Sequence, residues 1–194
     1  EEEEDFATRL AEQLEDLIQA EGPETVGAFI AEPIMGAGGV IVPPRTYFEK
    51  VQEVLDRYNI LFIADEVICG FGRTGRMFAT ETFRLKPDMI TVAKQLSSAY
   101  QPISALFIND KIYQAAKKAS DEIGTFGHGF TYSGHPVAAA VALETLRIYE
   151  EDGIVEHVRN VMSPFQKRLK DLNKFEHIGE TRGRGLIGAF ELVD

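Results

Sequence analysis

The chain has 194 residues, 44% of them hydrophobic, and one cysteine, so it can bury one substantial core, or one core with a small appendage, and forms no disulfide within itself. A formal net charge of −11 with no clustered basic footprint excludes nonspecific attraction to nucleic acid or anionic lipid, and no apolar run is long enough to span a bilayer. A small-molecule partner is expected, and the lone Cys69 suits a reducing compartment, by default the cytosol.

Four glutamates open the chain, and Phe6, Leu10, Leu14, Leu17 and Ile18 then recur at helical spacing up to the stop at Gly22-Pro23. A start inside a charged helix, with no methionine, reads as a cut in a longer sequence. Val26 to Ala31 is a short apolar run suited to a strand buried on both faces, ending at Glu32-Pro33 before the loop Met35-Gly36-Ala37-Gly38-Gly39. A second helix carries Tyr47, Phe48, Val51, Val54, Leu55 and Tyr58 on one stripe and closes at Asn59. Ile60 to Ala64 is wholly apolar and ends in Asp65-Glu66, as a central parallel strand would. Met89 to Ala93 is the next strand, ending in Lys94, and Ala105 to Ile108 is another. This alternation predicts an α/β sheet with covered faces.

Lys111 to Lys118 is predicted helical, and Asp121 to Ser133 is an aperiodic loop rich in Gly, Thr and aromatic residues. A longer, alanine-rich helix follows Gly134-His135-Pro136 and runs to Tyr149. Gly153 marks a boundary, followed by a polar helix from Ile154 to about Leu172 and a strand near Leu186 to Val193. The expected division is residues 1–152 as one domain and 153–194 as the start of a smaller one.

Asp65-Glu66 after an apolar strand suggests the magnesium-binding acids of a nucleotide triphosphatase, but the chain has no Gly-Lys dipeptide to complete a phosphate loop. Gly70-Phe71-Gly72-Arg73-Thr74-Gly75 matches G-x-G-x-x-G literally, yet several residues separate it from its strand, so a tight turn is the simpler reading. No metal site is expected. Asp65 and Lys94 each end an apolar strand, and in an open α/β sheet ligands bind beyond the carboxyl ends of the strands, so both side chains point toward one crevice. An acid that keeps a pyridine nitrogen protonated and an amine that takes up an aldehyde are what a pyridine aldehyde cofactor needs. Lys94 is read as a Schiff-base lysine, its ammonium poorly solvated at the edge of a buried sheet and its pKa lowered accordingly.

The ordered set Ala31-Glu32-Pro33, Gly36-Ala37-Gly38-Gly39, Ala64 to Gly75, Lys86-Pro87-Asp88, Ala93-Lys94 and Gly129 to Pro136 resembles the class III aminotransferases, pyridoxal-phosphate enzymes of fold type I. The similarity covers essentially the whole chain. It implies a three-layer αβα large domain with a mostly parallel sheet, here partial, followed by the beginning of a smaller α+β domain. It also implies roles. Lys94 would hold the cofactor and then serve as base and acid, Asp65 would pair with the pyridine nitrogen, and Val67 would pack on the ring. Thr131 would bind the phosphate across a homodimer interface, Glu32 would lie on the substrate side, and Tyr132 would line the pocket or pack at the interface. Arg73 is expected to order its loop, and His128 and His135 to make structural hydrogen bonds. The run from Ala93 to Ala105 is most similar to omega-amino-acid and amine transaminases that use pyruvate, although Gln95 stands where the family more often has glycine.

Members of that family are about twice this length, and the chain lacks the segments that carry their main phosphate loop, their ring-stacking aromatic residue and their C-terminal arginine. A catalytically incompetent fragment is therefore an alternative to a working transaminase, and a mutase or decarboxylase of the same fold is another.

Overall fold

A computed structural model describes all residues, 1–194. The apolar runs that end in charged residues form the strands of one sheet: β1 (Ala28–Ala31), β2 (Leu61–Asp65), β3 (Met89–Val92) and β4 (Ala105–Ile108), in the spatial order β1-β2-β3-β4. The first three are parallel, with Ala31 opposite Ala64 and Asp65 opposite Thr91, and β4 runs antiparallel to β3. The mostly parallel sheet agrees with the sequence reading, and β2 is central as expected.

Helices α1 (Glu3–Glu21) and α2 (Tyr47–Arg57) cover one face of the sheet. The predicted stripe of α2 is buried at Phe48, Val51, Val54 and Leu55, which pack with Ile18, Ile60 and Phe62. On the same face farther along, Val92 of β3 packs with Phe71, Leu96 and Ala142, the last from α5 (Pro136–Glu151). Small residues of α5 permit that approach, since Ala138 and Ala142 are both buried.

The opposite face is open, which corrects the expectation that β1 is buried on both sides. Ile30 is 58% exposed and pairs in register with Ile63, and Leu106 and Ile108 of β4 are also exposed. Paired residues share a face, so these positions and Asp65 lie on the side of the sheet that no helix of this chain covers. The stripe of α1 differs too: its buried residues are Ala7, Ala11 and Ile18, whereas Leu17 is exposed. Small side chains let α1 lie close on α2.

Helix α4 spans Asp110–Ile123, longer at both ends than predicted, with Asn109 capping it by accepting from the Ile112 N–H. The aperiodic loop is correspondingly shorter. Two elements have no counterpart in the sequence reading: the short helix α3 (Ala79–Phe83) and strand β5 (Ile178–Arg184). Strand β5 pairs antiparallel with β6 (Ile187–Leu192), and helix α6 (Ile154–Lys170) ends slightly earlier than predicted. Polar and glycine residues give β5 no hydrophobic alternation to read.

The β5–β6 hairpin and α6 dock on the glycine-containing loops that follow β1 and β2. Leu186 donates its N–H to the Arg73 carbonyl at 2.8 Å, Arg159 of α6 donates Nε to the Gly75 carbonyl at 2.8 Å, and Arg182 donates Nε to the Gly39 carbonyl at 2.6 Å. At the hairpin turn, Gly185 has φ +65°, and a Cβ there would meet the Arg73 carbonyl and lie 2.7 Å from Thr74 Cα. Gly185→Ala combines a positive φ with overpacking, and urea denaturation is expected to show a loss of about 2 kcal/mol.

Candidate functional site

The carboxyl ends of β1, β2 and β3 lie side by side and carry Glu32, Asp65 and Lys94 in that order. Asp65 ends β2 and is half-buried. Its Oδ1 accepts the Val67 N–H at 3.0 Å, and Oδ2 has no partner in the chain. The Glu66 N–H donates to the Thr91 carbonyl at 2.9 Å, which locks this strand end against β3. Thr91, opposite Asp65 in register, has a buried hydroxyl with no hydrogen-bond partner. Asp65 and Glu66 thus face different surroundings despite being neighbours.

Glu66 is fully buried and accepts the N–H groups of Ala79 at 3.0 Å and Thr80 at 2.6 Å, the first residues of α3. Burial pushes its carboxyl up from the ordinary value, more than those two N–H groups pull it down. The sequence shows Glu66 only as half of an acidic pair; its work is to anchor the loop between residues 66 and 80. Cys69 on that loop is buried and donates to the Ile34 carbonyl at 3.4 Å, and desolvation pushes its thiol up to about 12. Such a thiol is an inert packing group.

Lys94 is separated from β3 by one residue, Ala93, and begins a single 3-10 turn, Lys94–Leu96. Its backbone is left-handed, φ +41°, and its carbonyl accepts the N–H groups of Ser97 at 3.3 Å and Ala99 at 3.0 Å. The side chain is exposed and forms no ion pair in this chain. That corrects the expectation of a poorly solvated ammonium: the face beyond the strand ends is open, so this chain by itself does not desolvate the amine.

Val67 is half-buried, its N–H held by the Asp65 carboxylate two residues before it. Glu32 is half-buried, and its Oε2 accepts the Gly36 N–H at 2.9 Å, which closes the turn after β1. Glycine at 36 leaves room for the Ile68 side chain, which would have to shift to admit a Cβ there. Arg73 orders its loop through its carbonyl, while its buried Nε has no partner. Residues Gly70 to Gly75 form turns that lead to the five-residue α3, so they do not open a helix as a dinucleotide fingerprint would.

Thr131 and Tyr132 sit in the turn before α5, outside the strand-end cluster. Both are exposed, Tyr132 at 80%, and no hydrogen bond joins them to Asp65 or Lys94. His128 makes no side-chain hydrogen bond and instead stands edge-on to Phe126 and Phe130, with ring centroids 6.0 and 5.9 Å away. His135 likewise neighbours the Tyr132 ring at 6.2 Å. The expected structural hydrogen bonds of these histidines are therefore replaced by aromatic contacts. No group of three or more His, Cys, Asp or Glu is placed to hold a metal ion, and no helix is long and apolar enough to cross a membrane.

A free carboxylate oxygen on Asp65, an unpartnered buried hydroxyl opposite it on Thr91, and an exposed primary amine three residues beyond that hydroxyl on Lys94 form a donor set that suits pyridoxal phosphate: an acid for the ring nitrogen and an amine for the aldehyde. Comparison with known proteins points the same way. The family model described as Aminotransferase class-III matches residues 1–194. Gamma aminobutyrate transaminase 3, chloroplastic, of Solanum lycopersicum is 58% identical over 192 residues, which are 99% of this chain and 37% of that protein. Vanillin aminotransferase of Capsicum chinense is 57% identical over 192 residues, 99% of this chain and 42% of its own. Among solved structures, a transaminase with L-Ala superposes with a TM-score of 0.97 at 61% identity, covering 100% of this chain and 46% of its own. The omega transaminase from Pseudomonas jessenii in complex with PMP gives a TM-score of 0.97 at 57% identity, covering 100% of this chain and 43% of its own. The chain thus spans less than half the length of these proteins.

Proposed function

Because this chain belongs to the class III aminotransferases, we propose that it forms part of a longer pyridoxal-phosphate-dependent transaminase that moves an amino group from an amine or omega-amino acid to a keto acid such as pyruvate. The observation that carries this reading is the placement of Asp65 and Lys94 at the ends of adjacent parallel strands, each with its reactive atoms free of partners. The names of the relatives support a transaminase, and gamma-aminobutyrate is itself an omega-amino acid. When bound, the cofactor supplies an aldehyde carbon and a protonated ring that draws electrons from the substrate's Cα.

The chain's own residues do the rest. Lys94 Nζ is the amine that would hold the cofactor and, once displaced by substrate, would take the proton that leaves Cα and deliver it to the cofactor's former aldehyde carbon, C4′, within the same half-reaction. Asp65 Oδ2 holds the proton on the ring nitrogen, an ion pair strengthened where water is excluded. Oδ1, fixed by the Val67 N–H, keeps the carboxylate from rotating. Val67 packs on the ring, and Thr131 offers its hydroxyl to the phosphate of the neighbouring site in a homodimer, which suits its exposure and lack of partners here. Tyr132 belongs to the same interface or to the pocket it borders. Glu32 acts through the turn it closes, with Oε1 left to face substrate. In this reading residues 1–152 are the second half of the large domain, 153–194 begin the small one, and the cytosol remains the default compartment.

A second reading has a specific observation in its favour: the exposure of Lys94 and the open sheet face suit a piece that binds the cofactor weakly and does not turn over by itself. One experiment separates the two. The purified chain is mixed with pyridoxal phosphate, reduced with borohydride and digested, and the adduct is located by mass spectrometry. Selective labelling of Lys94 is expected if the strand-end site forms here; scattered labelling of surface lysines would restrict the transaminase reading to the longer enzyme.

A further inference from the structure

Lys94, Ser98 and Ala99 all have left-handed backbones, with φ of +41°, +49° and +62°. Residues with side chains persist in that region only where their surroundings over-determine the conformation. The bonds from Ser97 and Ala99 to the Lys94 carbonyl lie within the turn itself and cannot say what holds it against the rest of the fold. One side chain from outside does. The Tyr149 hydroxyl, near the end of α5, donates to the Gln95 carbonyl at 2.7 Å across 54 residues of sequence. It also lies 3.0 Å from Ser98 Oγ. A phenol has one proton, and Tyr149 gives it to Gln95, so Ser98 is the donor of the second bond. The two bonds reach the strained turn on either side of its buried residues Leu96 and Ser97. Below the hydroxyl, the Tyr149 ring is half-buried and neighbours Phe71, with centroids 6.2 Å apart, so the hydroxyl is delivered from a packed base.

We propose that Tyr149 is a positioning residue for Lys94: its hydroxyl clamps the left-handed turn and so fixes the direction in which the lysine leaves β3. The proposal rests on the reading of Lys94 as the cofactor lysine for its meaning, though the clamp is testable without it. Tyr149 touches no reacting atom and acts through the carbonyl of Gln95, the residue after Lys94.

The test compares this chain with its Tyr149→Phe variant, which keeps the ring on Phe71 and removes only the hydroxyl, and with Ser98→Ala, which removes one of the two bonds at an exposed position. Amide hydrogen exchange at Ser97 and Ala99 is expected to accelerate roughly tenfold in Tyr149→Phe, as fits the loss of hydrogen bonds at a local opening, and about threefold in Ser98→Ala, with the central strands unchanged in both. Borohydride trapping with pyridoxal phosphate should shift from Lys94 toward surface lysines in Tyr149→Phe. Unchanged exchange at Ser97 and Ala99 in Tyr149→Phe would overturn the clamp. Faster exchange throughout the sheet would also overturn it, because Tyr149 would then serve the fold at large. Accelerated exchange without any Lys94 labelling in the unmodified chain would leave the clamp standing and count against the cofactor site in this chain.

Discussion

Substitution of Lys94 by alanine is expected to reduce transamination by the longer enzyme roughly 10⁴-fold or more, and to remove the borohydride-trapped label from its peptide. The proposed function puts two tasks on one nitrogen. The amine would hold the cofactor, and the same atom would then move the Cα proton, so no neighbour inherits either task. The strand-end cluster contains no second lysine, and the proposed function already assigns Asp65 to the ring nitrogen. Lys94→Arg is expected to fail almost as completely, because a guanidinium stays protonated and cannot attack a carbonyl. Asp65→Asn should cost roughly 10²–10³-fold in turnover, the scale of removing one preorganised electrostatic contact. Turnover by Lys94→Ala within tenfold of the unmodified enzyme would sink the assignment of Lys94.

Glu66→Ala is expected to lower stability by about 2–4 kcal/mol, since two N–H groups that it now satisfies, at Ala79 and Thr80, would be left without an acceptor beside a new cavity. Urea midpoints of the two proteins measure this. The effect also has a pH signature. Burial holds the Glu66 carboxyl above its ordinary value of 4.5 in the folded chain. A group with a raised folded pKa contributes most below its unfolded pKa, and that contribution falls as pH rises through the folded value. The stability difference between the unmodified chain and Glu66→Ala should therefore be larger at pH 5 than at pH 8. A difference that grows with pH would mean the carboxyl is stabilised in its charged form, against the stated balance of burial and N–H donation. The exposed pairs Glu1 with Arg9, Glu3 with Arg45 and Glu144 with Arg147 pull their carboxyls down and act in the opposite direction, but they are common to both proteins and cancel in the comparison.

Strands that end near charge were legible in the sequence because their boundaries lie close to a physical change: β2 stops at Asp65, and β3 stops at Val92, two residues before Lys94. Helix α2 was legible because its stripe is both periodic and buried. Position in the site was legible for the same reason, since strand ends of a parallel sheet meet on one side. What was not legible depends on contacts distant in sequence. Nothing local marks Glu66 as the buried anchor and Asp65 as the open carboxylate; the difference comes from α3 folding back over one of them. Tyr149 reads as the last apolar position of a helix until its hydroxyl is seen on the Lys94 turn. Strand β5 is polar and exists because β6 pairs with it. Burial of β1 and desolvation of Lys94 were over-read because an apolar strand implies a cover, and this chain does not supply one.

The spatial order β1-β2-β3-β4 is also the order of synthesis. Each of these strands after the first pairs with the one that emerged just before it, so the four can be joined by closing one modest loop at a time. Asp65 meets Thr91 as soon as β3 is made, before α5 or the hairpin exists. On the proposed clamp, the strands bearing the acid and the lysine would pair early, and the turn carrying Lys94 would take its final shape only when Tyr149 arrives from α5. Folding of this chain should accordingly show the β2–β3 pairing in its transition state and the Lys94 turn among the last native contacts to form.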